Sequence, residues 1–248
     1  MLVLASASPR RQELLRNARI PFEVQPADIP EIRGEGEAPG DFARRLAREK
    51  ARAVFQRLPA AAETLVLGAD TIVVVDSEVL GKPSGPDDAF RMLRLLSGRW
   101  HRVTTAVCLI GSRGSADVPV GGSYLPTNDS AGSKEHRVAG VPAASSLDAA
   151  RRRGRRRYSV AEVSGGEAAE QVDAETTEVL FSPLSDGEIR QYIATGEPLD
   201  KAGAYAIQGI ASRWVPRIQG DYFNVMGLPV ALIWRMLQAA GEGNRVIR

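Results

Sequence analysis

Cysteine and histidine are nearly absent from this 248-residue chain: Cys108 is the only cysteine, and His101 and His136 are the only histidines. That scarcity removes any disulfide framework within the chain, any cysteine-rich zinc site and any His-x-x-x-His metalloprotease motif. A metal would have to sit on carboxylates and phosphates. Also missing are an apolar run of about 18 residues and a basic stretch leading into a signal-like apolar segment, so neither a membrane span nor a leader is expected. A cytoplasmic enzyme is the expectation. Net charge is small as well, with 32 Lys+Arg against 30 Asp+Glu, which argues against a protein that coats nucleic acid. Apolar residues reach 44%, enough for a core in one large domain or two small ones.

What the chain does have is α/β patterning. Leu2 to Leu4 reads as a short buried strand, followed by a helix from Arg10 to Asn17 and a second strand at Phe22-Glu23-Val24. A polar loop from Pro26 to Pro39 carries Asp28, Glu31 and Glu35. The helix predicted from Asp41 to about Leu58 puts Phe42, Ala43, Leu46, Ala47, Val54 and Leu58 on one arc and Arg44, Arg45, Arg48 and Arg52 on the other. Leu65 to Ala69 and Ile72 to Val75 form a long strand that Asp70-Thr71 interrupts, turning back through Asp76-Ser77 to Val79-Leu80. A helix over Pro86 to Ser97 and a strand over Trp100 to Ile110 follow. After a long polar stretch come a strand at Thr176 to Phe181 and a helix at Ser185 to Ala194. Two strand-like runs, Tyr205 to Ile210 and Trp214 to Ile218, precede a closing helix from Pro229 to Ala240. Strands mixed with helices imply a layered α/β architecture.

Several polar residues sit where this pattern makes them costly. Directly after the first strand, Ser6, Ser8, Pro9, Arg10 and Arg11 open a helix: the serines can cap it, Pro9 suits its first turn, and two guanidinium forks join the positive end of its dipole. Such an end suits a polyphosphate, although an ordinary capped helix with surface arginines has the same letters. Asp70 lies inside an apolar strand, so its carboxylate needs a metal, a cation or donors, unless it caps amides at a bulge. Lys50 lies inside the apolar arc of its helix and needs an anion such as Asp70, Glu31 or a phosphate, unless it snorkels. Lys82 is fixed between Gly81 and Pro83. Around Asp200 to Gly209, small residues permit close backbone approach, Lys201 adds a cation, and Gln208 can read the edge of a base, or else the run is a tightly packed strand.

Together these stretches resemble the Maf family of nucleoside triphosphate pyrophosphatases. The resemblance rests on Ser6-Ala7-Ser8-Pro9-Arg10-Arg11, Gly68-Ala69-Asp70-Thr71, Gly81-Lys82-Pro83, Asp200-Lys201-Ala202-Gly203-Ala204-Tyr205 with Ile207-Gln208-Gly209, and Val225-Met226-Gly227-Leu228-Pro229. It covers residues 1 to about 110 and about 173 to 241. It implies an inosine-triphosphatase-like α/β fold, with a long mixed central sheet flanked by helices and two lobes around a cleft. It also implies hydrolysis of a nucleoside triphosphate to monophosphate and pyrophosphate with a divalent cation, Mg or Mn. Pro9-Arg10-Arg11 without an inserted tryptophan, Asp70-Thr71, and the Lys201 to Gly209 run resemble the dTTP/UTP branch rather than the branch that prefers 7-methyl-GTP. By that resemblance Asp70 is the proton acceptor, Arg10, Thr71 and Gln208 are specificity positions, and Ser6, Arg11, Glu31, Lys50, Lys82 and Lys201 are the other polar cleft positions. Asp70 and Glu31 could share metal and water duties. A homodimer is compatible with the resemblance.

The chain leaves the pattern at about 112 to 172, a Gly, Ser, Ala, Pro and charge-rich insertion that interrupts a single domain of residues 1 to 248. Arg151 to Arg157 holds six arginines in seven positions. That cluster reads as a solvated loop or as a contact for nucleic acid or an acidic partner. The second alternative would make the protein a regulator built on a pyrophosphatase scaffold.

Overall fold

The computed structural model describes residues 1–59, 64–112, 160–162 and 168–241. The chain runs β1 (Leu2–Leu4), α1 (Pro9–Asn17), β2 (Glu23–Val24), α2 (Pro39–Phe55), β3 (Leu65–Val75), β4 (Glu78–Leu80), α3 (Pro86–Leu96), β5 (Trp100–Ser112), β6 (Val160–Glu162), β7 (Ala168–Leu180), α4 (Asp186–Ala194), β8 (Arg217–Gln219), α5 (Tyr222–Met226) and α6 (Val230–Ala239). One eight-stranded mixed sheet joins them in the order β2-β1-β3-β5-β7-β6, with β4 on the end of β3 and β8 on the end of β7. β1 is parallel to β2 and β3; the pairs among β3, β5 and β7 are antiparallel. The expected mixed α/β fold is present.

β3 is the spine, and its period of two sorts its side chains. Val66, Ile72 and Val74 pack into the cluster with Ala43, Leu46, Ala47 and Val54 of α2. Leu67 and Ala69 point the other way, into the cluster built by α1 and α6, while Val73 and Val75 enter the cluster of α3 and α4. The same alternation turns Asp70 toward α2 and Thr71 toward α1. β3 is not interrupted at Asp70-Thr71: its register with β5 runs without a break from Leu65↔Gly111 to Val74↔Arg102. The bulge reading is therefore overturned, because Asp70 obtains its partner from α2 rather than from a distorted backbone.

Two other expectations change. Tyr205 to Ile210 is not a strand; the chain there makes short 3-10 turns at Ala202–Ala204 and Ile210–Trp214, and only Arg217–Gln219 of the later run pairs in the sheet. Backbone N–H groups that a strand would spend on a neighbour go to side chains instead: Ala206 N–H to Tyr192 Oη and Ile210 N–H to Glu197. The expected boundary at about 172 also moves, since β7 begins at Ala168 and pairs with β5 from there, and β6 lies at 160–162. The arginine face of α2 also meets a buried acid. Arg48 and Arg52 donate at 2.6 and 2.8 Å to Glu170, a β7 carboxylate only 2% exposed. Arg151 to Arg157 lie outside the described residues.

Candidate active site

A cavity of about 840 Å³ opens where the C-terminal end of β1, the middle of β3 and the Ala202–Ala204 turn meet. Its lining brings together Ser6, Arg10, Arg11, Glu31, Lys50, Asp70, Thr71, Lys82 and Lys201, nine residues singled out in the sequence. Gln208 is the exception. It is exposed and absent from the lining, at the crest of the turn between the two side-chain anchors just described.

Lys50, Asp70 and Glu31 form a three-residue arrangement in the cavity wall. Lys50 Nζ donates at 2.6 Å to Asp70 Oδ1 and at 2.6 Å to Glu31 Oε1. Two helical and strand periodicities produce it: Lys50 follows Leu46 and Ala47 on the sheet-facing stripe of α2, and Asp70 shares a β3 face with Gly68 and Ile72. Gly68 makes the contact possible. A Cβ there would overlap Ala47 O and stand 2.7 Å from Ala51 N, so only a hydrogen lets α2 approach this closely. Snorkelling of Lys50 is excluded, since the residue is 8% exposed and its ammonium is spent on two carboxylates.

Electrostatics separate the two carboxylates. Burial pushes the Asp70 pKa upward, and the charges of Lys50 and Arg11 only partly oppose that. Glu31 also feels burial, but the bond to Lys50 and the charges of Lys50, Lys82 and Arg11 outweigh it and hold its pKa below the usual value. An acid held up and a neighbour held down are a common arrangement for a proton acceptor beside a permanently ionised group.

The adjacent arginines have different surroundings. Arg11 donates from Nε to Gly227 O (2.9 Å), from Nη1 to Ser6 Oγ (3.1 Å) and Ala69 O (2.8 Å), and from Nη2 to Thr71 Oγ1 (3.1 Å). Four of the five guanidinium N–H groups are thus used to tie α1, β3 and the Gly227 turn together. Among the described residues Arg10 makes no such bonds; burial lowers its pKa, with Asp200 and then Glu197 the leading carboxylates that oppose the shift. The expected serine cap is also absent. Ser8 makes no side-chain cap bond, and Ser6 Oγ is occupied by Ser8 N–H at 3.2 Å and by Arg11. The first-turn N–H groups of α1 therefore have no side-chain acceptor at their N-cap, which leaves that end suited to an anion.

Behind Thr71 lies a polar network that sequence reading did not find. Thr71 Oγ1 pairs with Thr105 Oγ1 at 3.0 Å, Thr105 Oγ1 donates to Asn224 O, and the wholly buried Asn224 amide takes Thr105 N–H and gives to Val103 O and Thr177 Oγ1. The available signal was an asparagine inside the run Tyr222 to Leu228. Asp200 and Tyr205 also line the cavity.

Two carboxylates with oxygen donors suit a hard divalent cation. Among the described residues no group of three or more His, Cys, Asp and Glu could hold a metal alone. Asp70 and Glu31 fit such an ion as partial ligands whose shell other oxygens complete. No described helix is long and apolar enough to cross a membrane.

A family model described as Maf-like protein matches residues 1–123 and 143–240, so the match extends past the motif-bearing stretches and omits 124–142. A dTTP/UTP pyrophosphatase of Koribacter versatilis (strain Ellin345) is 45% identical over 240 residues, spanning 97% of this chain and 94% of the relative. Proteins of the same description from Syntrophomonas wolfei and Thermococcus onnurineus are 40% and 39% identical, over 99% and 95% of this chain and 99% and 96% of the relatives.

Proposed function

The chain belongs to the Maf family of nucleoside triphosphate pyrophosphatases, and we propose that it hydrolyses dTTP and UTP to the monophosphate and pyrophosphate. The observation that carries the catalytic part of this reading is Lys50, held at 2.6 Å from both Asp70 and Glu31 in a cavity whose other walls bring Arg10, Lys82 and Lys201.

In this reading Asp70 accepts the proton of the attacking water. Burial raises its pKa, which favours its acting as a base, while Lys50 opposes that shift and fixes its orientation. Arg10, Lys82, Lys201 and the open end of α1 hold the triphosphate and take up charge on the departing pyrophosphate. Arg11 acts differently from the other cations: it shapes the wall and positions Ser6 and Thr71, with little donor capacity left for substrate. Asp70 and Glu31 would hold Mg or Mn jointly with phosphate oxygens, and such a cation supplies charge neutralisation along the phosphate chain. Arg10, Thr71 and Gln208 bear on the choice of base.

A panel of nucleoside triphosphates with pyrophosphate detection, with and without chelator, tests the reading, and 7-methyl-GTP belongs in that panel. Asp70→Asn is expected to fold and to bind dTTP while turnover falls by at least about 10²-fold, the lower end of what a positioned base contributes. Orthophosphate rather than pyrophosphate as the product would refute cleavage at the α-β bond. Wild-type turnover by Asp70→Asn would remove Asp70 from its assigned role.

A further inference from the structure

The turn that presents Gln208 is hung on two side chains that stand outside the assigned site. Tyr192 Oη accepts Ala206 N–H at 3.2 Å on one side of Gln208, and the Glu197 carboxylate accepts Ile210 N–H at 3.1 Å on the other. The two anchors are themselves joined, because Tyr192 Oη donates to Glu197 Oε1 at 2.8 Å. Tyr192 is buried and packed edge-on against Trp214, so its hydroxyl cannot swing away without disturbing the core. Gly209 completes the fit. Its φ of −97° suits any residue, yet a Cβ there would overlap the Glu197 carboxylate. Space, rather than backbone conformation, keeps this position a glycine.

We propose that Glu197 is a positioning residue for nucleotide choice: through Tyr192 and the Ile210 amide it sets the turn bearing Gln208. The proposal rests on the assignment of Gln208 to base selection. It explains how an exposed glutamine outside the lining can have a defined place: the backbone on both sides of it is fixed by one hydrogen-bonded dyad.

Steady-state kinetics on dTTP and GTP test it, using wild type, Glu197→Gln, Tyr192→Phe and the double variant. Loss of the turn's charge-assisted anchor is expected to raise KM for dTTP about ten-fold, with kcat within about three-fold and GTP use unchanged. The dTTP to GTP ratio of kcat/KM therefore falls about ten-fold. Because the two anchors act as a unit, the double variant should lose no more than either single one. Gly209→Ala should reproduce the loss in the wild-type background and add nothing in a Glu197→Ala background, where no carboxylate obstructs the new methyl. Equal losses on both triphosphates, a fall in kcat at unchanged KM, or additive losses in the double variant would overturn the proposal. If wild type releases no pyrophosphate from dTTP, the functional reading fails separately. The same ratio is then measured between its best and second-best triphosphates, and an unchanged ratio in Glu197→Gln overturns the proposal.

Discussion

Gly68→Ala tests whether the spacing of one helix from one strand creates the catalytic arrangement. A methyl at this position would overlap Ala47 O and lie 2.7 Å from Ala51 N and 2.9 Å from Ala51 Cβ, all on α2. Two of those atoms are backbone, so no rotamer change can relieve the overlap. Restoring ordinary contact near 3.5–4 Å requires α2 to retreat by about 1 Å. Lys50 rides on that helix, with Nζ 2.6 Å from each of its carboxylates. A shift of about 1 Å away from β3 stretches the bond to Asp70 past the range of a hydrogen bond. Overpacking of this kind costs about 1–3 kcal/mol of stability, and misplacing a catalytic group by about 1 Å costs on the order of 10² in rate.

Gly111→Ala provides the matched control. There a Cβ would overlap the side chain of Leu65, whose end can rotate, and Leu65 is five residues, about 17 Å, along β3 from Asp70. Pyrophosphate release at saturating dTTP and urea unfolding would be measured on both variants. The expected outcome is greater destabilisation of Gly68→Ala, and a fall of about 10² in kcat for Gly68→Ala alone. Wild-type kcat in a destabilised Gly68→Ala protein would refute the dependence of the site on helix-strand spacing. Equal kcat losses in both would assign the effect to stability.

Burial lowers the His101 pKa from 6.5 to about 4, so between those values the unfolded chain binds a proton that the folded chain refuses. Stability is then complete above about pH 6.5 and falls as the pH drops toward 4, by about 3 kcal/mol; urea midpoints at two pH values should show a slope that His101→Gln reduces, and an equal slope in both proteins would exclude His101 as its source. Asn224→Ala strands Thr105 N–H and Val103 C=O and should cost about 2–4 kcal/mol, and Asn224→Asp should not recover it because a carboxylate cannot donate to Val103 O; near-wild-type unfolding of either variant contradicts this account. Removing Arg48 and Arg52 together leaves Glu170 buried without a cation and should cost about 3–5 kcal/mol, whereas Glu170→Met frees two half-exposed arginines to resolvate and should cost less; the reverse order in urea unfolding would refute the asymmetry.

The central pair of the site was legible because it lies on regular elements. A period of 3.6 placed Lys50 on the buried arc of α2, and a period of two placed Asp70 in an apolar strand; each charge required a partner, and the structure supplies the other. Glu31 was foreseeable only as a candidate, since it arrives from an irregular loop. The turn around Gln208 misled for a definite reason. Alternating small and apolar residues there match a strand pattern, but whether such a run becomes a strand depends on an available sheet edge, and its amides are instead taken by Tyr192 and Glu197. Glu170 was hidden by composition: it sits four residues beyond Gly166, in a stretch whose glycine and charge content reads as loop although β7 has already begun.

Arg10 and Arg11 show how far identical chemistry can diverge over one residue. Successive side chains on a helix are turned by about 100°, so when α1 packs its Leu14 and Leu15 into the core, Arg10 and Arg11 leave it in different directions although both line the cavity. Four acceptors converge on Arg11, including the Ala69 carbonyl beside Asp70. Those bonds fix the backbone beside Asp70 from one face of β3, as Lys50 fixes its carboxylate from the other. If the chain works as proposed, the serine/arginine turn serves hydrolysis in two separate ways: Arg10 and the uncapped end of α1 would face the anion, while Arg11 holds the strand that carries Asp70. A change at Arg11 should consequently resemble a loss of Asp70 geometry, with kcat falling at little-changed KM, whereas a change at Arg10 should raise KM first.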